Sequence, residues 1–229
     1  MTRKILIFHL LCLLGLIAFS LYSWSMLPDL DRYPIHWNAK GEVDGYASRI
    51  GVFWTLAIMP ITQILMVTLF HFLPLIEPMK KNFESSRSAY NIICIFLAVF
   101  MTSIGVVLCF VLTNPGTEIA KFIPKGVIMA ISLLLIGIGN VLGKVRQNFM
   151  MGIRTPWTLS SELSWEKTHR LTGRIFVAGG VLGVVMAALI PVSLVLPLII
   201  GFLAITTAIV FVPLVYSYVI WKNDPQKRA

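Results

Sequence analysis

Long apolar runs alternate with shorter polar stretches along the whole chain. Four runs are bounded by charges, prolines or glycines and cover residues 5–27, 51–76, 90–113 and 126–143. A further run over 175–219 is too long for one membrane crossing, and Pro191, Ser193 and Pro197 near its middle predict a tight turn that divides it into two helices. About 20 apolar residues cross a hydrocarbon core. The pattern therefore predicts an all-α integral membrane protein with six transmembrane helices.

The first apolar run is longer than the core of a signal peptide. It follows Arg3 and Lys4 and extends over 5–27, whereas the apolar core of a signal peptide has roughly 7 to 15 residues. We therefore predict a retained helix. The triplet at 18–20 loosely resembles a cleavage site, and cleavage there would leave five spans.

Composition supports the membrane prediction. Residues of the AVILMFWYC set make up 57% of the 229 residues and charged residues only 13%, against about 25% charged in soluble domains. This balance excludes an ordinary soluble enzyme. The three cysteines, Cys12, Cys94 and Cys109, lie inside apolar runs, where they are expected to pack as small hydrophobes and not to form disulfides or metal sites.

The distribution of charge predicts the orientation of the helices. With the N-terminus inside, fourteen of the nineteen basic residues fall on the inner side, while the ten acidic residues divide evenly. The inner segments then carry the whole net charge of +9. This bias is typical of a protein with both termini in the cytoplasm, and it favours contact with anionic lipid.

The order of spans and loops suggests two modules. Residues 1–113 would form an N-terminal module of three spans with an outer loop over 28–50, and residues 114–229 a C-terminal module of three spans with an inner loop over 144–174. Each module opens with a helix, a patterned loop and two further helices. An inverted repeat is therefore an open alternative.

Loop 28–50 is long, aromatic and polar, so we expect function there. An extended stretch before proline and two turns ending in glycine predict an ordered loop. A metal site formed by His36 and the neighbouring carboxylates is a weak alternative. Polar residues at these positions are also typical of side chains that cap turns. The candidate contacts for an external toxin or ligand are Pro34, His36, Trp37, Asn38, Gly41, Asp44, Gly45 and Tyr46.

Loop 144–174 is predicted to contain a short helix over 161–171 that lies along the membrane, capped by Ser160 or Ser161 and supported by a Glu166–Arg170 pair. It is either a basic interfacial anchor, a docking surface for a cytosolic partner, or a gate. The candidate docking or gating residues are Asn148, Gly152, Arg154, Thr155, Pro156, Trp157, Thr158, Trp165, Thr168, His169, Arg170 and Gly173.

Catalytic and cofactor motifs are not found. The segment 137–144 resembles a phosphate-binding loop, but Ile138 and Leu142 stand where the two common patterns need glycine. No HExxH or GxSxG is present. Of the ionisable residues in the spans, only His9 and His71 stand out, each near a span end, which argues against a proton pathway. We therefore predict no enzymatic activity, catalytic residue, metal or cofactor.

Two signatures resemble those of the SdpI-type immunity proteins of bacteria. The segment 34–38 followed by Gly41 and 44–46 is similar to the family's N-terminal membrane module. The family's C-terminal signature resembles a second set of residues, made up of Asn148, the run 152–159, Trp165, 168–170 and Gly173. The segment 82–91 is also similar to the family. The resemblance covers most of the chain.

The resemblance implies a multi-pass protein of the bacterial cytoplasmic membrane that gives resistance to a secreted peptide toxin of the sporulation-delaying class. It also implies capture of an ArsR-type transcriptional repressor at the inner surface, without direct nucleic acid binding. A small-molecule or peptide transporter is the main alternative, and a membrane enzyme or assembly factor is a further one.

Overall fold

The computed structural model describes residues 1–38, 42–115 and 118–227. Six helices are long enough and apolar enough to cross a membrane, so the prediction of six spans in a multi-pass membrane protein is confirmed. These helices are α1 (Arg3–Ser25), α2 (Arg49–Ile76), α4 (Arg87–Thr113), α5 (Ile123–Leu142), α7 (Glu162–Leu189) and α8 (Val195–Lys222). There are also two short helices, α3 (Lys80–Ser85) and α6 (Pro156–Ser160), and two strands, β1 (Tyr33–Trp37) and β2 (Val43–Ala47). Two 3₁₀ turns cover Glu118–Phe122 and Val192–Leu194.

The turn predicted inside the longest apolar run is present. Helix α7 ends before Ile190, Pro191 caps the 3₁₀ turn, and α8 begins at Val195. Pro197 therefore lies in the first turn of α8, where the missing amide hydrogen costs nothing because first-turn amides have no partner within the helix.

The helices pack as two groups of three. Helices α1, α2 and α4 contact one another, α5, α7 and α8 form the second group, and α4 contacts α5. Helices α5 and α7 approach most closely, since a Cβ atom at Gly139 or at Gly173 would lie 2.7 Å from the carbonyl oxygen of the other. Small residues allow this backbone approach in a membrane.

Met1 and Asp224 lie at the same end of the bundle as loop 144–174. Met1 packs against a cluster that Met151 also contacts, and Ser161 hydrogen-bonds Asp224 beyond the end of α8. We call this the motif end, and we call the opposite end, which carries β1 and β2, the hairpin end. Which side of the membrane each end faces stays a prediction from the charge distribution.

The all-α prediction is wrong for loop 28–50. Strands β1 and β2 pair in antiparallel fashion, with Tyr33 opposite Ala47 and Trp37 opposite Val43. The amide of Asn38 donates to the carbonyl oxygen of Glu42 at 2.9 Å and extends the pairing beyond Trp37. Aromatic and β-branched residues favour this extended pairing.

The separate interfacial helix predicted over 161–171 is also wrong. Its residues form the first turns of α7, which continues without a break to Leu189. Ser161 caps the helix, as predicted, through a 2.9 Å bond from the amide of Ser164. No proline interrupts the helix, and its polar residues Ser164, Thr168 and His169 are buried. Glu166 pairs with Arg146 at 2.6 Å and not with Arg170.

Candidate functional site

His169 belongs to the C-terminal signature and is completely buried. Its Nδ1 lies 2.8 Å from the carbonyl oxygen of Trp165, and its Nε2 lies 2.9 Å from the backbone nitrogen of Ile153. The amide can only donate, so Nε2 accepts and Nδ1 carries the proton that it donates to Trp165. The Nε2 bond therefore holds the backbone of Ile153 against α7, while the Nδ1 bond lies within α7 and orients the ring.

The indole of Trp165 completes this contact. It stacks on the His169 imidazole with 4.1 Å between ring centroids and an interplanar angle of 20°. Its Nε1 donates to the carbonyl oxygen of Val145 at 2.8 Å. One buried aromatic pair thus fixes both the start of the loop and its middle.

Gly152 brings the loop backbone onto His169. Its φ of 113° lies in the region that favours glycine, and a Cβ atom there would lie 2.3 Å from Nε2 of His169. Both the backbone angle and the space require glycine at this position.

Asn148 and Glu77 satisfy the loop's backbone amides. The Oδ1 atom of Asn148 accepts from Met150 and Met151 at 2.9 and 2.7 Å. The carboxylate of Glu77 is only 1% exposed, and it accepts from the amide of Phe149 at 3.1 Å and from that of Met79 at 2.8 Å. Sequence analysis missed Glu77, since a charge at the end of an apolar run is ordinary.

Thr155 and Thr158 form a capping box at the start of α6. The amide of Thr158 donates to Oγ1 of Thr155 at 3.1 Å, and the amide of Thr155 donates to Oγ1 of Thr158 at 3.0 Å. Pro156 occupies the first helical position, which proline favours. The ring of Trp157 packs edge-on to Tyr218 of α8 at 5.2 Å. The TPWT segment therefore holds the loop against α8.

Ser161 links α7 to the C-terminal tail. Besides capping α7, its hydroxyl donates to the Asp224 carboxylate at 2.5 Å, and the amide of Gln226 donates to the same carboxylate at 2.9 Å. The Ser161 hydroxyl first, and the Gln226 amide second, hold the pKa of Asp224 below its usual value. Asp224 is a second carboxylate that sequence analysis did not select.

The loop also joins the two helix groups. The side-chain amide of Asn82 donates to the carbonyl oxygen of Gln147 at 2.9 Å, and Ser86 accepts from the amide of Arg146 at 2.8 Å. Asn82 and Ser86 belong to the segment 82–91 that resembles the family. This segment therefore contacts the C-terminal signature directly.

The predicted docking residues divide by exposure. Six are buried: Asn148, Thr155, Thr158, Trp165, Thr168 and His169. Gly173 is buried against Gly139. Arg154 and Arg170 are exposed, and Arg154 hydrogen-bonds the carbonyl oxygen of Phe149. Gly152 and Pro156 are exposed as well, so Arg154 and Arg170 are the exposed charged residues of the predicted set.

The hairpin end carries the other candidate residues. The ring nitrogen Nδ1 of His36 lies 2.5 Å from Oδ1 of Asp44, and both side chains are largely exposed, at 70% and 43%. Gly45 lies opposite His36, where a Cβ atom would come within 2.8 Å of the histidine Cβ. The side-chain amide of Asn38 donates to Glu42 at 2.8 Å. Gly41 lies outside the described residues.

Tyr33 anchors the hairpin to the bundle. It is 1% exposed and packs in a cluster whose other buried members are Leu27 and residues of α2 and α4. Its hydroxyl donates to the carbonyl oxygen of Pro28 at 2.7 Å. Pro34 is buried, Trp37 is partly buried, and Tyr46 is exposed. The anchored hairpin thus presents His36, Asp44 and Tyr46 outward.

The alternative of a metal site at His36 gains no support. Across residues 1–38, 42–115 and 118–227, no three His, Cys, Asp or Glu side chains come together as metal ligands.

Comparison with known proteins gives matches at both ends of the bundle. Residues 144–217 match the SdpI/YfhL protein family, and residues 10–60 match a domain of unknown function, DUF1648. The chain is 27% identical over 180 residues to the immunity protein SdpI of Bacillus subtilis (strain 168), a match that covers 79% of each chain. The resemblance to the SdpI-type family is confirmed. No solved structure matches the chain.

The two matched segments coincide with the two structured loops. The SdpI/YfhL match begins at the start of loop 144–174 and ends at Ser217, whose hydroxyl lies 3.3 Å from that of Thr155. The DUF1648 match includes the whole hairpin. The SdpI/YfhL match thus includes loop 144–174 at the motif end, and the DUF1648 match includes the exposed hairpin at the other end.

Proposed function

We propose that this chain is an immunity protein of the bacterial cytoplasmic membrane that gives resistance to a secreted peptide toxin of the sporulation-delaying class. The observation that carries the proposal is its similarity to the immunity protein SdpI, over 79% of each chain. The six apolar helices are consistent with this role in a membrane.

The orientation follows from charge. With the N-terminus inside, the inner segments of the sequence hold fourteen of the nineteen basic residues, and positive charge favours the cytoplasmic side. The hairpin then faces outward, where a secreted toxin arrives.

The hairpin is the proposed toxin contact. It is anchored through Tyr33 and leaves His36, Asp44 and Tyr46 available. A contact surface held in place before binding loses little conformational entropy when its ligand arrives.

The motif end is the proposed contact for an ArsR-type repressor. Arg154 and Arg170 are exposed there, whereas Trp165 and His169 are buried. The repressor would therefore dock on the arginines. For toxin to signal, it must favour a state of the protein that binds repressor more tightly.

A survival assay tests the toxin contact. Toxin-sensitive bacteria expressing the chain should survive the secreted peptide, and His36→Ala/Tyr46→Ala should lose protection at an unchanged membrane level. Asp29→Ala/Asp31→Ala is the matched control, because both residues are exposed in the same loop but lie before the hairpin. Equal protection by both pairs would contradict the assignment of the hairpin.

A vesicle assay tests the repressor contact. Inside-out vesicles with toxin enclosed in the lumen, where the hairpin would face, should bind a labelled ArsR-type repressor more tightly than vesicles without toxin, and Arg154→Gln/Arg170→Gln should remove the increase. Repressor binding that toxin leaves unchanged would contradict the signalling role while leaving the immunity role intact.

A further inference from the structure

A groove opens between α5 and α7 at the motif end. It has a volume of about 520 Å³ and is lined on its polar side by Lys144, Arg170 and Arg174. The two helices touch at Gly139 and Gly173 and leave the groove open beside that contact. Its size is within the range of roughly 300–1,000 Å³ typical of small-molecule sites.

The three cations of the groove have no acidic partner. Within the part of the chain that the structure describes, no carboxylate lies within 4 Å of Lys144, Arg170 or Arg174. Glu166, the acidic residue one turn before Arg170, is held by Arg146 at 2.6 Å. The groove therefore presents three uncompensated positive charges on one concave surface.

The groove continues as an apolar wall toward the middle of the membrane. Val177 and Ala178 line it, and one turn further along α7 the side chains of Val181 and Leu182 are exposed at 49% and 48%. On a membrane-spanning helix such exposed apolar side chains face acyl chains. The cationic part thus lies where headgroups are found, and the apolar part lies where their chains are found.

We propose that this groove binds an anionic phospholipid, with the lipid phosphate between Lys144, Arg170 and Arg174 and an acyl chain along Val177 and Ala178. Basic pockets between transmembrane helices recognise headgroup phosphates in this way. A free phosphate would use the three cations but not the apolar wall. The combination therefore favours a lipid of the leaflet at the motif end.

Native mass spectrometry of the full chain from mixed nanodiscs tests the proposal. The protein should retain phosphatidylglycerol in preference to phosphatidylcholine, and Lys144→Gln/Arg170→Gln/Arg174→Gln should lower that preference by about tenfold or more, since each basic residue near an anionic surface contributes measurably. Excess inorganic phosphate should leave the bound lipid in place.

A second triple variant removes the same charge elsewhere at the same end. Lys80→Gln/Lys81→Gln/Lys222→Gln changes exposed lysines outside the groove and should keep the lipid preference. Should the groove triple fold poorly, Arg174→Gln alone should weaken retention and Arg174→Lys should restore it. Equal losses in both triples, no preference in the parent chain, or displacement by inorganic phosphate would each overturn the proposal.

Discussion

The backbone amide of Ile153 donates a hydrogen bond to Nε2 of His169 at 2.9 Å. This bond joins the GIRTPWT segment to the THR segment of the same signature. The three consecutive residues of the THR segment differ in exposure. Thr168 and His169 are buried, while Arg170 is exposed. The histidine holds the loop in place, and the arginine is left for contacts outside the fold.

Gly152→Ala should destabilise the protein strongly. The new Cβ would lie 2.3 Å from Nε2 of His169 on a backbone with φ of 113°, so we expect a loss of about 2 kcal/mol or more in the free energy of unfolding. Thermal unfolding in detergent measures it. Gly126→Ala is the control, because nothing lies within 4 Å of its Cβ position. Equal unfolding temperatures would contradict the close contact.

His169→Phe tests the hydrogen bond apart from the packing. Phenylalanine can keep the stack on Trp165, but it leaves the part-buried amide of Ile153 without its acceptor. The carbonyl oxygen of Trp165 loses only its side-chain donor, since it still accepts the backbone amide of residue 169 within α7. We expect a loss of about 1–3 kcal/mol in the free energy of unfolding. His71→Phe changes an exposed histidine and should have little effect. A His169→Phe protein as stable as the parent would show that the bond contributes nothing.

Asp224→Asn should change how stability depends on pH. The Ser161 hydroxyl and the Gln226 amide lower the pKa of Asp224 in the fold, so its ionised form stabilises the native tail above the ordinary carboxyl pKa. That contribution is lost as the pH falls through the lowered pKa. The parent should therefore be more stable than the variant at neutral pH, and the difference should shrink on acidification below about pH 4.

Proteolysis of the C-terminal tail measures this difference at each pH. Asp29→Asn, which changes an exposed carboxylate at the hairpin end, is the control. A difference between parent and Asp224→Asn that grows as the pH falls would contradict a stabilising role for the ionised carboxylate.

Gly45→Ala should loosen the hairpin and little else. Its Cβ would lie 2.8 Å from the Cβ of His36, an atom too close to the backbone to move aside alone. Amide hydrogen exchange over 33–47 should therefore accelerate, with exchange in α7 unchanged. Gly15→Ala, where nothing lies within 4 Å, should leave the hairpin unaffected. Slow exchange retained in Gly45→Ala would contradict the strand register.

The spans could be predicted from the sequence because each is a continuous apolar run whose length is set by the bilayer. The cap at Ser161 was also predictable, since capping depends on neighbouring residues. The hairpin was missed because Pro34 interrupts a strand of only five residues, and proline is unfavourable in strands.

The buried polar contacts of the motif end could not be predicted in the same way. Glu77 bonds Phe149, and Ser161 bonds Asp224, across 72 and 63 positions of the chain. Such partners are known only once the fold brings them together. For the same reason the sequence pattern alone favoured a helix on the membrane surface at the polar start of α7, although Ser164 and Thr168 face the interior.

Membrane potential during toxin challenge tests the immunity role most directly. Toxin-sensitive bacteria that carry this chain in the membrane would be compared with bacteria that carry no added protein, both exposed to the secreted sporulation-delaying peptide. An immunity role predicts that the potential is kept in the first strain and collapses in the second. Equal collapse in both strains, with the chain present and folded in the membrane, would contradict it.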